Sequence, residues 1–381
     1  MIKANKRVLV VFGTRPEAIK LAPLILALQQ DSRFEVVTCS TGQHRDMVAP
    51  VCKFFEIEPD YDLDVMEPAQ TLDHVAHAVL SKLPAVLHSV RPDLVVVQGD
   101  TATAFSAALA AFFHRISIAH VEAGLRTYDL RSPWPEEGFR AMVGRLADYH
   151  FAPTERAHRN LVHECAQGEV IVTGNTVVDA ALTAARKIDG LPALNIALRL
   201  GISATDRKKI LFTMHRRESF GEPVERVLAA LNTIALKNDI EVLYPVHPNP
   251  NVSGPAQRIL GSNPNVRLLP PLSYDEMIFA LKTCSILVTD SGGLAEEAPT
   301  FSKPTLILRD ATERPECVEC GSAMLVGYDT DRLELLVSQL LEGGRLLDAM
   351  SSAPNPFGDG RAAERIVNYL AGPAAALAAA A

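Results

Sequence analysis

The sequence lacks the positive charge and the long apolar stretches that nucleic-acid-binding and membrane proteins need. Its 381 residues carry a formal net charge of −8, which favours neither nucleic acid nor an anionic membrane surface. The apolar run near the N-terminus, in MIKANKRVLVVFG, is too short for a signal peptide or a membrane span. We therefore expect a cytoplasmic protein with no nucleic-acid or membrane partner, in which local basic groups meet any anionic ligand.

The six cysteines and the glycines also lack the arrangements of metal and dinucleotide sites. Only Cys317 and Cys320 form a CxxC pair, whereas a zinc site of this kind needs a second pair at similar spacing. The pair also lies late in the chain, far from the first strand, where a thioredoxin-like motif would occur. No GxGxxG is present, so the dinucleotide motif is absent too. We expect reduced thiols, no metal and no redox cofactor.

Short apolar runs rich in Val, Ile and Leu alternate with longer helical patterns along the chain. Strands are predicted at residues 7–12, 34–41, 94–98, 116–120, 149–152, 170–173, 209–213, 241–245, 266–269, 286–289, 304–308 and 323–326. Helices are predicted at residues 16–30, 43–55, 72–90, 101–114, 140–147, 154–164, 224–237, 274–282, 292–298 and 332–341. This alternation predicts an α/β protein with two doubly wound, Rossmann-like domains facing each other across a cleft. The boundary is expected between Asn175 and Asp206.

Polar residues follow several predicted strands of the first half, at the ends where parallel sheets bind ligands. Gly13 and Arg15 stand at a strand-to-helix turn, which is either an anion site or a turn with a surface arginine. Asp100 precedes a helix predicted to begin at Thr101, and on its own this position favours an N-cap. Glu122 comes directly behind an apolar strand, where an acid is costly to bury without a partner.

A proline-stiffened loop, SPWPEE, contains the only tryptophan of the chain and ends in two acids. Pro133 and Pro135 flank Trp134 and restrict the backbone of the loop. Glu136 and Glu137 open the following helix, where first-turn acids suit the helix dipole, so part of this signal is structural. Glu136 nevertheless joins the two preceding acids as a third candidate carboxylate of the first half.

Basic and glycine-rich segments follow strands of the second half. His215 is followed by two arginines, a combination suited to gripping a diphosphate. Ser291, Gly292 and Gly293 form a loop whose backbone N–H groups can approach a phosphate at a helix start. Phosphate grips in both halves, together with three carboxylates in the first, predict a nucleotide-sugar enzyme at the level of class.

Ten motifs of this chain resemble those of the non-hydrolysing UDP-N-acetylglucosamine 2-epimerases. They occur in family-like order from about residue 7 to about residue 370 and read GTRPEAIKLAPL, TGQHRDM, QGDTATA, HVEAGLRTYD, SPWPEE, VTGNTVVDA, HRRESFG, YPVHPNPNV, TDSGGLAEEAP and RDATERPE. The resemblance implies a two-domain, GT-B-like fold, with an N-terminal domain at 1–175 and a UDP-binding C-terminal domain at 176–360. It also implies that a C-terminal helix at about 361–372 packs back on the first domain.

The resemblance assigns roles to the residues that match the family's motifs. The catalytic residues that it implies are Asp100, Glu122, Glu136 and His215. The UDP and sugar contacts that it implies are Arg15, Lys20, Asp100, Glu122, His215, Met277, Ser291, Gly292, Gly293, Glu297 and Arg314. The residues that it implies for a second, allosteric nucleotide-sugar site are Gln43, Glu136, Arg140 and His247. The chain departs from the family at Phe139, where an asparagine is usual, and a phenylalanine brings no hydrogen-bonding group to that second site.

The resemblance implies a reaction that needs neither a metal nor a cofactor. UDP leaves C1 as a base removes the C2 proton, 2-acetamidoglucal forms, and UDP returns while a proton reaches the other face of C2. The ligands are then UDP-GlcNAc, UDP-ManNAc and UDP, and the enzyme is expected to be a homodimer. Its product is expected to supply ManNAc for cell-surface polysaccharide.

Three other functions remain open on the sequence. A GT-B glycosyltransferase would share the fold and the UDP site but would need an acceptor. A nucleotide-sugar sensor would have a dead active site, against which the intact set of acids and His215 argues. A hydrolysing epimerase would release free N-acetylmannosamine.

Overall fold

The computed structural model describes residues 5–190, 193–202, 207–216, 219–312 and 314–372. The chain divides into two compact units, one formed by residues 1–180 with 357–381 and the other by residues 181–356. Arg217, Glu218 and Glu313, from the motifs HRRESFG and RDATERPE, lie outside the described residues. Among the helices that the structure describes, none is long and apolar enough to cross a membrane.

The first unit is built on a seven-stranded sheet in which neighbouring strands are parallel. Its strands are β1 (Lys6–Phe12), β2 (Phe34–Ser40), β3 (Tyr61–Asp62), β4 (Leu94–Gln98), β5 (Ser117–Val121), β6 (Tyr149–Ala152) and β7 (Glu169–Val172), in the spatial order β3-β2-β1-β4-β5-β6-β7. Strand β4 is buried at every residue, as a strand covered on both faces should be. Because the strand order reverses between β1 and β4, the turns after these strands meet where open α/β sheets bind ligands.

The helices of the first unit lie against this sheet and against one another. They are α1 (Arg15–Gln29), α2 (Arg45–Phe55), α3 (Leu72–Val90), α4 (Ala102–Phe113), α5 (Glu136–Leu146), α6 (Glu155–His163) and α7 (Thr176–Asp189), the last of which continues into the second unit. The alanine-rich α4 contacts α3, α5 and the central strands, since its small side chains allow close approach. Its start, directly after β4, therefore lies at the carboxyl edge of the sheet.

The second unit repeats this architecture with a six-stranded parallel sheet. Its strands are β8 (Lys208–Thr213), β9 (Ile240–Pro245), β10 (Val266–Leu269), β11 (Ile286–Thr289), β12 (Thr305–Ile307) and β13 (Ala323–Leu325), in the order β10-β9-β8-β11-β12-β13. Its helices are α8 (Ala193–Arg199), α9 (Glu222–Lys237), α10 (Pro250–Leu260), α11 (Tyr274–Thr283), α12 (Gly292–Glu297), α13 (Pro315–Glu319), α14 (Thr330–Glu342) and α15 (Arg345–Ser352), with a 3₁₀ turn at Ala298–Phe301. The order reverses between β8 and β11, which brings the turns after these two strands together.

The C-terminal helix α16 (Ala362–Leu370) returns to the first unit and packs against α1. Its apolar face, which includes Ile366 and Leu370, is buried. Asp179 on α7 accepts hydrogen bonds from the first two backbone N–H groups of α16, at 3.2 and 2.9 Å. A side chain from the middle of the chain thus caps the last helix that the structure describes.

The predicted fold class is confirmed, because each unit is a doubly wound parallel α/β sheet and all twelve predicted strands are present. The pattern does not predict β3, which has only two residues, or the helices α7, α8, α10, α13 and α15. In α10, Pro250 and Pro255 resemble loop residues. Pro250 occupies the first turn of α10, where its missing N–H costs no hydrogen bond. Helix α5 begins at Glu136, as the two acids at the end of the SPWPEE loop indicate, and four residues before the helical pattern predicted at residues 140–147.

Candidate active site

The turn from β1 into α1 is closed by a buried carboxylate. Glu17, 1% exposed, accepts hydrogen bonds from the backbone N–H groups of Gly13 (2.9 Å) and Thr14 (2.7 Å), and from the Thr101 hydroxyl (2.5 Å). Burial raises the pKa of Glu17, although these hydrogen bonds oppose the shift. Because Thr101 follows β4, Glu17 ties the turns after β1 and β4 together and places Arg15 at this edge of the sheet.

Gln43 lies beside the same turn, in the loop between β2 and α2. The Thr103 hydroxyl donates to Gln43 Oε1 (2.8 Å) and lies 2.9 Å from the Thr41 hydroxyl. A Cβ on Gly13 would collide with both hydroxyls, so this close approach requires glycine. The amide oxygen of Gln43 is therefore used to hold the edge of the first sheet.

Glu122 occupies the turn after β5 and is 8% exposed. Its backbone has a φ of +62°, a left-handed conformation that is unfavourable for a residue with a side chain. Its carboxylate pairs with the Lys20 ammonium and accepts hydrogen bonds from Gln98 Nε2 (3.1 Å) and Asn175 Nδ2 (2.7 Å). Three donors thus offset the cost of its burial. Sequence reasoning identified Glu122 and Lys20 but missed Gln98 and Asn175, although both are polar residues at or just after strand ends.

Asp100 is not the N-cap that its position in the sequence favours. Thr101 caps α4 instead, because its hydroxyl accepts a hydrogen bond from the backbone N–H of Ala104 (3.0 Å). The prediction is wrong because aspartate and threonine both cap helices well, and one residue of register decides between them. The Asp100 carboxylate accepts a hydrogen bond from the Arg140 guanidinium on α5 (2.5 Å), which orients it.

Arg140 bridges two carboxylates and is 5% exposed. One of its terminal nitrogens contacts Asp100, and the other donates to Glu137 (3.2 Å). Glu137 is 1% exposed and accepts hydrogen bonds from the backbone N–H groups of Thr127 (3.0 Å) and Tyr128 (2.9 Å). Glu137 is therefore more than a first-turn acid beside a helix dipole, because it clamps the segment after β5 to α5.

Glu136 begins α5 with a carboxylate in a different environment. Its Oε2 is shielded from solvent and has no hydrogen-bond partner within the part of the chain that the structure describes. Trp134, in the preceding loop, is 68% exposed. Since buried polar atoms are usually paired, an oxygen with unused hydrogen-bonding capacity at this edge is a candidate for contact with a ligand.

Phe139 lies on the packed side of α5. Its ring stacks on Phe105 of α4, with centroids 5.5 Å apart and planes inclined by 17°, and it lies against the core of the first unit. Packing between α4 and α5 therefore explains why an aromatic side chain stands at this position.

In the second unit, buried Asp290 anchors the segment after β8. Its carboxylate accepts hydrogen bonds from the backbone N–H groups of His215 (2.7 Å) and Arg216 (2.8 Å), and lies 3.3 Å from His215 Nδ1. The His215 ring, 41% exposed, stacks on His247 at a centroid distance of 5.8 Å. Burial lowers the pKa of His215, although Asp290 opposes the shift. Asp290 thus fixes the backbone of the segment after β8, a role that its position in a glycine-rich loop does not indicate.

The loop after β11 presents a helix start and an oriented guanidinium. The Ser291 side chain caps α12 by accepting a hydrogen bond from the N–H three residues on (3.5 Å). A Cβ on Gly292 would lie 2.6 Å from Arg314 Nη1, so glycine allows the guanidinium to approach; a Cβ on Gly293 would meet open space. Arg314 itself pairs with buried Glu296. Backbone N–H groups and a fixed arginine at one edge of the sheet suit an anion.

Glu297 ends α12 as a buried carboxylate. It is 6% exposed and accepts a hydrogen bond from the Tyr274 hydroxyl (3.1 Å). Tyr274 begins α11, and the half-buried Met277 follows it by one turn. The second-unit residues that the resemblance assigns to UDP therefore lie on the turns and helices that follow β8, β10, β11 and β12.

The CxxC pair consists of free thiols. Cys317 is buried and donates to the backbone carbonyl of Ala295 (3.3 Å), while Cys320 donates to that of Cys317 (3.4 Å). Burial raises the pKa of the Cys317 thiol well above its ordinary value, which makes it a poor nucleophile.

Known proteins share both the sequence and the architecture of this chain. The profile of the UDP-N-acetylglucosamine 2-epimerase family matches residues 26–371. The chain belongs to the UDP-N-acetylglucosamine 2-epimerase family. A UDP-N-acetylglucosamine 2-epimerase of Yersinia pestis is 48% identical over 368 residues, which cover 96% of this chain and 98% of the relative.

Solved epimerases resemble this family member along nearly the whole chain. The crystal structure of UDP-GlcNAc 2-epimerase from Neisseria meningitidis bound to UDP-GlcNAc matches with a TM-score of 0.90 and 43% identity, over 96% of this chain and 99% of that one. The MnaA protein of S. aureus, solved with UDP, matches with a TM-score of 0.86 and 42% identity, over 96% of both chains. The family that the ten motifs predict is confirmed, as is the doubly wound, GT-B-like fold.

Proposed function

We propose that this chain interconverts UDP-N-acetylglucosamine and UDP-N-acetylmannosamine by inverting C2 of the sugar. Relatives that carry the epimerase name along 96% of the chain support the proposal. The observation that carries it is the placement of Asp100, Glu122 and Glu136 after strands of one sheet, with Asp100 paired to Arg140 and Glu122 to Lys20. Inversion at C2 needs acid/base groups on both faces of the ring, and a set of oriented carboxylates supplies them.

We propose that the reaction passes through 2-acetamidoglucal, because the C2 proton has no neighbouring carbonyl and is not acidic enough for direct removal. A base takes this proton, the C–H electron pair forms the C1=C2 double bond, and the C1–O bond breaks with its electron pair leaving on UDP. In the second half, a UDP oxygen adds to C1 as a proton is delivered to the opposite face of C2. Substrate and product have the same oxidation state, so the sequence of steps needs no net oxidant or reductant.

We assign the leaving diphosphate to the Arg314 guanidinium and to N–H groups of the second unit. His215, Arg314 and the N–H groups of the Ser291–Gly293 loop are suited to stabilising the charge that grows on UDP as the C1–O bond breaks. Met277 and Glu297 are proposed contacts of the same nucleotide, and Arg15 is retained as a UDP contact on the family resemblance. We also propose that the two compact units are the enzyme's two domains.

The test is incubation of the purified chain with UDP-GlcNAc alone, followed by separation of nucleotide sugars and assay of free sugar. We expect UDP-ManNAc to accumulate to an equilibrium with UDP-GlcNAc, with no free sugar. Free N-acetylmannosamine would indicate a hydrolysing epimerase. Release of UDP only after an acceptor is added would indicate a glycosyltransferase, and binding without any turnover a sensor.

We further propose that the enzyme works as a homodimer, responds to UDP-GlcNAc at a second site, and supplies ManNAc for cell-surface polysaccharide. These proposals rest on the family resemblance. Two of the residues assigned to the second site, Gln43 and Arg140, also have structural partners in the first unit, Thr103 and Asp100 respectively.

A further inference from the structure

Glu122 is held by side chains from three segments of the first unit, which we call the Glu122 cradle. The cradle consists of Lys20 on α1, Gln98 at the end of β4 and Asn175 after β7. Lys20 Nζ and Asn175 Nδ2 both contact Oε2 of Glu122, and Gln98 Nε2 contacts Oε1. All three groups are hydrogen-bond donors, so together they fix the orientation of the carboxylate.

The side-chain amide of Asn175 has a fixed orientation. Its Oδ1 accepts a hydrogen bond from the backbone N–H of Val177 (3.1 Å), which leaves Nδ2 to face Glu122 at 2.7 Å. Its own backbone N–H donates to the carbonyl of Phe357 (2.8 Å), and the residue is 2% exposed. Asn175 is thus a buried amide, fixed at its backbone and its oxygen, that determines where Oε2 of Glu122 lies.

Lys20 belongs to the same arrangement. Its side chain is 8% exposed, and its ammonium pairs with the oxygen of Glu122 that Asn175 also contacts. A buried cation and a buried anion compensate each other, so each requires the other to remain in place. The geometry therefore gives Lys20 a role beside a candidate catalytic carboxylate, different from the UDP contact that the family resemblance implies.

We propose that Asn175 and Lys20 are positioning residues for Glu122 in the epimerisation, an inference that rests on the proposed function. They aim one carboxylate oxygen, so that proton transfer at C2 begins from one geometry. A misplacement of about 1 Å can cost a reacting group roughly 10²-fold in rate. Loss of either residue is therefore expected to lower kcat while leaving UDP binding intact.

The first test is the nearly isosteric change Asn175→Asp. It keeps the oxygen that Val177 contacts and replaces the donor that faces Glu122 with a second carboxylate oxygen. We expect kcat to fall by about 10²-fold, with the KM for UDP-GlcNAc and the Kd for UDP unchanged. A kcat equal to that of wild type, in a variant with the wild-type melting temperature, would overturn the inference.

Asn263→Asp is the matched control in the second unit. Asn263 is also buried, its Oδ1 accepts a hydrogen bond from the N–H two residues on (2.9 Å), and its Nδ2 donates to the neutral side chain of Asn232 (2.7 Å). Because this amide faces a neutral side chain instead of a carboxylate, the control is expected to keep full kcat. If Asn175→Asp does not fold, Gln98→Glu is the alternative, because it places a negative charge against the other oxygen of Glu122. The same changes in kcat, KM and Kd are expected for it, and a wild-type kcat would again overturn the inference.

The second test, Lys20→Gln, distinguishes a role in the Glu122 cradle from a direct contact with UDP. A positioning role predicts a lower kcat with an unchanged Kd for UDP. A Kd raised by about 10- to 100-fold, the expected cost of losing a charge-assisted phosphate contact, would overturn the assignment of Lys20. Failure of the wild-type chain to epimerise UDP-GlcNAc would contradict the proposed function itself. Normal kcat in the variants would contradict only the positioning role.

Discussion

Arg140 connects one proposed catalytic carboxylate, that of Asp100, to Glu137, which holds the backbone of the segment after β5. Its planar fork reaches Asp100 and Glu137 with two different nitrogens, and a lysine cannot reproduce that geometry. Arg140→Lys is therefore expected to lower kcat by roughly 10-fold or more, as the lost orientation of a positioned acid/base group implies. Initial rates with UDP-GlcNAc, measured alongside thermal unfolding, check this expectation.

The control for Arg140→Lys is Arg126→Lys in the same unit. Arg126 has a side chain that is 1% exposed and forms an equally specific pair with Glu164, at 2.7 and 2.8 Å. Each variant loses a buried guanidinium that contacts carboxylate groups through two nitrogens, so both are expected to be less stable than wild type. Only the Arg140 variant should lose much of its kcat, and equal losses in the two would assign Arg140 a purely structural role.

His120 gives the fold a pH dependence of definite sign. It is 1% exposed on β5, its Nε2 lies 2.7 Å from the carbonyl oxygen of Gly99, and burial lowers its pKa to about 3. Between that value and about pH 6.5, the unfolded chain binds a proton that the folded chain does not, so stability falls as pH falls. The expected contribution is about 1.4 kcal/mol of unfolding free energy per pH unit.

Urea unfolding of wild type and His120→Asn between pH 7 and pH 5 measures this contribution. The variant is expected to lose less stability than wild type over this range, whatever its stability at pH 7. The same pH slope in both proteins would contradict the assignment of this pH dependence to His120.

Single residues show clearly where sequence reasoning stops. Asp100 and Glu122 stand out because acids directly after apolar strands are unusual, but their basic partners, Arg140 and Lys20, lie 40 and 102 residues away. Helix-capping preferences do not distinguish Asp100 from Thr101 either. Such pairings are set by tertiary structure, and no local pattern encodes them.

At the scale of elements, the C-terminal helix depends on a cap from another part of the chain. Asp179 accepts the first two N–H groups of α16, so Asp179→Ala leaves both without this partner. We expect the free energy of unfolding to fall by about 1–2 kcal/mol, the usual cost of losing a cap. Hydrogen exchange in α16 is expected to speed up in this variant.

Asp329→Ala is the matched control for the cap. Asp329 caps α14 in the second unit by accepting the N–H of Arg332 (3.0 Å). This change should cost a similar amount of stability while leaving exchange in α16 unchanged. Unchanged exchange in the Asp179 variant would show that packing against α1 alone holds α16.

Strands are predictable here wherever an apolar run persists without interruption. The strands are recognised because both faces are covered and their sequences are apolar throughout. Helix α10 is missed because its two prolines are the strongest loop signals in the segment. Its buried face, which consists of Val252, Ala256 and Leu260, is too short to outweigh them in the sequence. The structure resolves the conflict because burial of that face outweighs the local preference of the prolines.

At the scale of the whole molecule, the reverse reaction tests the proposed second site. Starting from pure UDP-ManNAc, we expect a lag that a trace of UDP-GlcNAc removes, as the family resemblance implies. Immediate full-rate turnover without UDP-GlcNAc would show that the chain has no such requirement. Phe139→Asn is an unsuitable probe of this site, since removing the ring stacked on Phe105 is expected to destabilise the first unit.

The architecture of both units follows from the alternation of strands and helices, which admits few arrangements of a parallel sheet. The carboxyl edge of each sheet is likewise predictable as the place for polar residues. The alternation of strands and helices does not predict which of these polar residues face a ligand. It also does not predict which of them, like Glu137 and Asp290, bind backbone N–H groups instead. That division depends on side-chain orientation after the turns are formed.

Inversion of C2 by removal and return of a proton determines where the C2 hydrogen of the product comes from. The most direct test is an NMR time course of UDP-GlcNAc with the wild-type chain in deuterated water. If a protein acid that exchanges with solvent delivers the new proton, the UDP-ManNAc formed carries deuterium at C2. UDP-ManNAc that keeps its original hydrogen at C2 would contradict the elimination mechanism.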